Sequence, residues 1–145
     1  MRLDDSWKGV EFFTGDDIPG LVRLRPNLQN FIETGLYLRR MDIIWTYEST
    51  DDSQLPDNAT MNLMTNIEDA LVDAFEVDNQ TILAFVFTCD NERWWAFYTT
   101  DIDIAGSRLN ETLAAFDPLP INISVDDDPE WDEYFGVIED FTGEE

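Results

Sequence analysis

TILAFVFTCDNERWWAFYT, residues 81–99, is the stretch on which the fold turns. Thr81–Thr88 and Arg93–Thr99 are dense in β-branched and aromatic residues, the types that fit a pleated, half-buried surface. Asp90-Asn91-Glu92 lies between them, and Asp and Asn tolerate the left-handed backbone of a tight turn. The reading is a β-hairpin. Because side chains alternate along a strand, Trp94 and Trp95 point to opposite faces of the sheet. One of the two rings enters the core. The other packs beneath a helix or stands exposed as an interface anchor.

Upstream, Ala59–Phe75 carries Met61, Met64, Ile67, Leu71 and Phe75 at helical spacing, with Asp57, Asn58 or Thr60 as its cap. Before it, Tyr37–Tyr47 reads as a central strand, and residues 49–58 as a polar loop. Downstream, Ile104–Phe116 is a second helix capped by Asp101 or Asp103, with Ile104, Leu109, Leu113 and Phe116 on one side. Pro118 and Pro120 end it, and Ile121–Val125 alternates as a strand. Residues 37–125 therefore run strand-helix-strand-strand-helix-strand, the split β-α-β pattern of ferredoxin-like folds.

Two additions flank that unit. Gly9–Phe13 and Gly20–Arg25 form an N-terminal hairpin around Asp16, Asp17 and Pro19, while Leu28–Leu36 fits neither period. At the other end Asp128 reads as an N-cap with Pro129 at the first helical position. Trp131, Tyr134, Phe135, Ile138 and Phe141 follow as an apolar stripe. The expectation is a single α+β domain over 1–145. It has a hairpin extension (1–36), a ferredoxin-like core (37–141), a mainly antiparallel sheet with helices on one face, and an extra C-terminal helix.

The closing motif, Asp128-Pro129-Glu130-Trp131-Asp132-Glu133-Tyr134, and the strand Arg93-Trp94-Trp95-Ala96-Phe97-Tyr98 give the chain a familiar outline. Over about residues 37–141 it resembles a family of small bacterial domains of unknown function. Members carry a helix, a hairpin with such a second strand, another helix, a strand and a closing Asp-Pro-x-Trp-x-x-Tyr. That family is similar in architecture to the acidic protein regulators of ribonuclease E. The resemblance implies a ferredoxin-like sheet and an inhibitory role, and it brings no catalytic residues. The closing motif also has a full structural explanation as cap, first turn and core anchor.

The net charge of -24 is unevenly placed. Residues 1–40 balance six acids with six bases, whereas residue 41 onward holds 26 acids and two bases, Arg93 and Arg108. Such a field repels nucleic acid and anionic membranes and attracts basic surfaces. Salt adaptation or simple solubility is the plainer account. There is no histidine, so Ser-His-Asp and Cys-His sites are excluded. The single cysteine, Cys89, sits beside Asp90, which disfavours its thiolate. Asp51-Asp52 and Asp126-Asp127-Asp128 offer oxygen ligands without the spacing of a calcium loop, so they read as solvated acidic loops. No cofactor is expected.

The N-terminus lacks a signal peptide's apolar stretch, and a cytoplasmic monomer or weak homodimer is expected. Three functions stay open. One is an immunity-type inhibitor that neutralises a basic toxin such as a nuclease. It would dock through Asp51, Asp52, Asp126, Asp127, Asp128, Glu130, Asp132 and Glu133, with Trp94 or Trp95 as anchor. Another is a phage nucleic-acid mimic blocking a restriction or CRISPR effector. The last is a housekeeping regulator, of a ribonuclease for instance, or a ligand-binding module. None of the three is an enzyme.

Overall fold

A computed structural model describes residues 7–48, 57–116 and 118–142. The hairpin forms at the expected place. Strand β4 (Thr81–Cys89) turns at Asp90 and Asn91, both with positive φ (52° and 65°), into β5 (Glu92–Thr99). Two successive left-handed residues match the turn's twist to that of the strands. Around this pair the sheet grows in both directions.

On one side β4 pairs with β2 (Pro19–Leu24), and β2 with β1 (Lys8–Phe13). On the other, β5 pairs with β3 (Arg39–Thr46), and β3 with β6 (Ile121–Asp127). Every pairing is antiparallel, and the six strands lie in the order β1-β2-β4-β5-β3-β6. β1 and β6 are thus the two edges.

Alternation along the strands divides the interior into two cores. Met41, Ile43, Trp45, Leu83, Trp95 and Phe97 face one way. They pack with Met64, Ile67, Leu71 and Phe75 of helix α2 (Asn58–Glu76) and with Ala105 and Leu109 of α3 (Ile102–Leu113). Val22, Leu24, Ile82, Ala84, Ala96 and Tyr98 face the other way. They meet Phe31 of a short helix, α1 (Gln29–Glu33), and Tyr134 and Val137 of α4 (Asp132–Thr142). The expectation of helices on one face is therefore corrected. α2 and α3 cover one side of the sheet, α1 and α4 the other. The cause is the two-sided apolarity of β4 and β5, which would leave Ile82, Ala96 and Tyr98 wet if only one face were covered.

Local signals placed most helix ends. The Asp57 carboxylate accepts the Thr60 amide at 2.8 Å and caps α2, and Asp101 accepts the amides of Asp103 and Ile104 to cap α3. α3 is set a turn earlier than expected. Ala105 and Leu109 are its buried residues, and Ile104 is largely exposed. The unassigned segment 28–36 contains α1. The C-terminal helix also differs, beginning at Asp132 and not at Pro129. Pro129 and Glu130 make a turn closed by the Trp131 amide on the Asp128 carbonyl (3.1 Å). Trp131 itself adopts φ 58°. That left-handed step, rare for a bulky residue, swings the indole into the core and delays the helix.

Candidate partner-binding surface

The acidic run at residues 126–133 is split by the geometry of a strand. Asp126 lies opposite Arg40 and Asp127 opposite Arg39, so their side chains leave opposite faces of β6. Their side chains are 61% and 81% exposed. Asp128 is only 6% exposed and points inward. There it accepts from Arg40 Nη1 (2.9 Å), the Tyr98 hydroxyl (2.7 Å) and the Asp132 amide (2.8 Å), and also from the Glu133 amide. Asp128 is thus a buried cap and ion-pair partner and is withdrawn from the expected docking set. The three consecutive aspartates do not converge on a cation. Among the described residues no group of three or more Cys, Asp or Glu side chains is placed to hold a metal ion.

Arg40 is the hub of this corner. Its Nε lies 2.9 Å from Asp42 Oδ1, and its Nη2 lies 3.1 Å from Asp126. Burial opposes the charge on Arg40, but Asp42 and then Asp128 outweigh it and hold the guanidinium above its ordinary pKa. Asp42 also accepts the Trp94 indole N–H at 2.8 Å. Trp94 is half-buried, stacked on Phe87 and edge-on to Phe85. Trp95 is fully buried on the opposite face, with its N–H on Glu68 (2.8 Å). Trp95 is therefore no interface anchor, while Trp94 stays partly exposed. Asp51 and Asp52 lie outside the described residues.

What remains outward is a compact rim. Asp126, Asp127, Glu130, Asp132 and Glu133 are exposed, and the last three form no ion pair with a described base. Ile123 (46% exposed) and Val125 (40%) stand beside Asp127 on the same face of β6. Among the described strands β6 pairs only with β3, so its outer edge has no described strand beside it. Acids are not confined to this rim. Asp69 and Asp73 on α2, Asp103 and Glu111 on α3, and Glu139 and Asp140 on α4 are exposed as well.

The described arginines, by contrast, are drawn into ion pairs or buried, and Lys8 stays exposed. Arg23 pairs with Glu68, Arg25 with Glu76 (3.1 Å), Arg39 with Asp127 (3.3 Å) and Arg108 with Asp78 (2.8 Å). Arg108 draws the exposed Asp78 carboxyl down to about 2. The neutral N-terminal segment thus lends its arginines to acids far along the chain. Sequence reading missed this use of Arg23, Arg25 and Arg40. The signal available was their position on strands, alternating with Leu24 and Met41.

Burial, then the bond to Asp128, raises the Tyr98 phenol. Burial, with Asp90 beside it, raises the Cys89 thiol. At pH 8, iodoacetamide should therefore alkylate Cys89 more slowly than a free cysteine, as followed by mass spectrometry. A rate at or above that of the free thiol would show an exposed thiolate and contradict this placement.

No described helix is long and apolar enough to cross a membrane. No curated protein and no solved structure matches the chain. Residues 5–138 match the model of a family of unknown function, DUF695, and the chain belongs to that family.

Proposed function

We propose that the protein is a non-enzymatic acidic binder, an immunity-type inhibitor that docks on a basic partner such as a nuclease toxin. The observation that carries this reading is the rim at residues 126–133. Asp126 and Asp127 project from the two faces of the edge strand β6, on which Ile123 and Val125 are half exposed, and Glu130, Asp132 and Glu133 are exposed on the turn and helix that follow. Glu130, Asp132 and Glu133, which pair with no described base, draw a basic surface in quickly, and the apolar residues of the edge strand give it something to desolvate. The net charge of -24 strengthens the field that steers the encounter.

The strand order β4-β5-β3-β6, with α2 and α3 on one face, supports reading residues 39–127 as ferredoxin-like. Likeness to the acidic regulators of ribonuclease E rests on that order, and it points to the same partner class. The β1–β2 hairpin and α4 are then additions to it.

The test is capture of basic proteins from a lysate on the immobilised chain at low salt. The association rate of the captured nuclease is then measured against salt. Neutralising the rim together (Asp126→Asn, Asp127→Asn, Glu130→Gln, Asp132→Asn, Glu133→Gln) should slow association by about tenfold or more at low salt while leaving dissociation less changed. A rate indifferent to both salt and the five substitutions would refute the proposal. If the acids only guard an edge, the variant will self-associate instead, with partner binding intact.

A further inference from the structure

A second cluster lies at the other end of the sheet and takes no part in the acidic rim. Arg23, on β2, and Arg93, on β5, border a hollow of about 260 Å³ whose other walls include Gly9, Leu21, Val86 and Thr88. Among the described residues no acidic side chain lines it. Arg93 is 6% exposed. Its Nε donates to Thr88 Oγ1 at 2.8 Å and its Nη2 lies 3.0 Å from Met61 Sδ. No described carboxylate comes within ion-pairing distance of it. Its Nη1 has no hydrogen bond to a described residue.

A buried guanidinium without a carboxylate is costly, and a second cation nearby adds to the cost. Here burial, then the like charge of Arg23, pulls the Arg93 pKa down. Glu68, whose charge acts on Arg93, is engaged by Arg23 and by the Trp95 N–H, and the exposed Glu11 stands opposite Leu21 on the same face of β1 as Gly9. Glu68 is thus held by Arg23, and Arg93 keeps no paired described carboxylate beside the hollow. The glycine on β1 keeps the place open. Gly9 sits directly opposite Arg23, so a side chain there would stand on the same face, and a Cβ built on it meets nothing within 4 Å. Glycine inside a strand marks a point of close approach.

We infer that this hollow binds a small monocarboxylate with a short apolar body. The carboxylate lies between Arg93 and Arg23, where planar forks suit its two oxygens. The body lies over Gly9, against Leu21 and Val86. A singly charged anion works less against the field of a protein with net charge -24 than a multiply charged one does. This site stands apart from the rim on β6, and neither assignment depends on the other.

The probes are hexanoate, hexanol and inorganic phosphate, each titrated by calorimetry into the full chain and into two variants. Hexanoate should bind saturably and raise Tm, and the other two should not. Arg23→Gln should weaken hexanoate by about tenfold or more, because it removes a charge-assisted bond. Gly9→Phe, which fills the hollow from an exposed edge strand, should abolish binding while the unliganded Tm stays close to that of the parent. This variant decides the matter even if Arg23→Gln fails to fold. The inference is overturned if hexanoate does not saturate in the millimolar range, or if hexanol or phosphate binds as well. Undiminished binding by Gly9→Phe also overturns it.

Discussion

Asp128→Ala should destabilise the protein by about 3–5 kcal/mol, the range for removing one partner of a buried ion pair. The carboxylate serves four donors at once: Arg40, the Tyr98 hydroxyl, and the amides of Asp132 and Glu133. Arg40 keeps Asp42 and Asp126, so the guanidinium is not stranded altogether. The phenol and the two helix amides have no such reserve, and each buried donor left unmade costs about 1–3 kcal/mol. Asp128→Asn retains an acceptor at the helix start and should fall between the parent and Ala. Urea denaturation with an unchanged m-value measures it. A loss under about 1 kcal/mol would mean that water or Asp42 replaces the carboxylate, and the cap would not be the keystone described here.

Trp131→Ala should cost a similar amount, about 3–5 kcal/mol. The indole is buried, lies parallel to Tyr98 with centroids 3.8 Å apart, and meets Tyr37 and Tyr134 edge-on. Its N–H donates to the Tyr37 carbonyl at 3.0 Å. The backbone gives this position a distinctive signature. At most sites glycine is less stable than alanine by roughly 0.5–1 kcal/mol. At φ 58° the order should invert, because alanine bears the left-handed penalty of about 1–2 kcal/mol and glycine does not. Thermal melts of Trp131→Ala and Trp131→Gly compare them directly. If alanine is the more stable, the left-handed step is not intrinsic to the folded chain. Both sites touch Tyr98, so the combination Asp128→Ala with Trp131→Ala should fall short of the sum of its parts.

The elements were legible wherever the residues speak locally. Asp90-Asn91 announced its turn, the caps of α2 and α3 were narrowed to a few residues that include Asp57 and Asp101, and the stripe from Trp131 to Phe141 announced its burial. What depends on partners far along the chain was not legible. Alternation put Trp94 and Trp95 on opposite faces, but which one would meet a helix and which an aromatic cluster depends on where α2 and α4 dock. The run Asp126-Asp127-Asp128 looked like one acidic patch. Strand geometry sends the first two to opposite sides and buries the third, and only the pairing of β6 with β3 reveals Arg40 as its counter-charge. Likewise Arg23 and Arg93 are 70 residues apart in number and adjacent only because β2, β4 and β5 are neighbours.

The second core is closed by bonds of great sequence separation. The Tyr134 hydroxyl donates to the Arg25 carbonyl across 109 positions, and the Trp131 indole to Tyr37 across 94. A chain that must bring such distant segments together gives up loop entropy before those contacts reward it. Refolding therefore belongs to the slow end for two-state domains, milliseconds to seconds, as mainly antiparallel sheets with non-local pairing do. During that interval the apolar underside of β4 and β5 is uncovered, and the like charges on every molecule keep collapsed chains from adhering to one another.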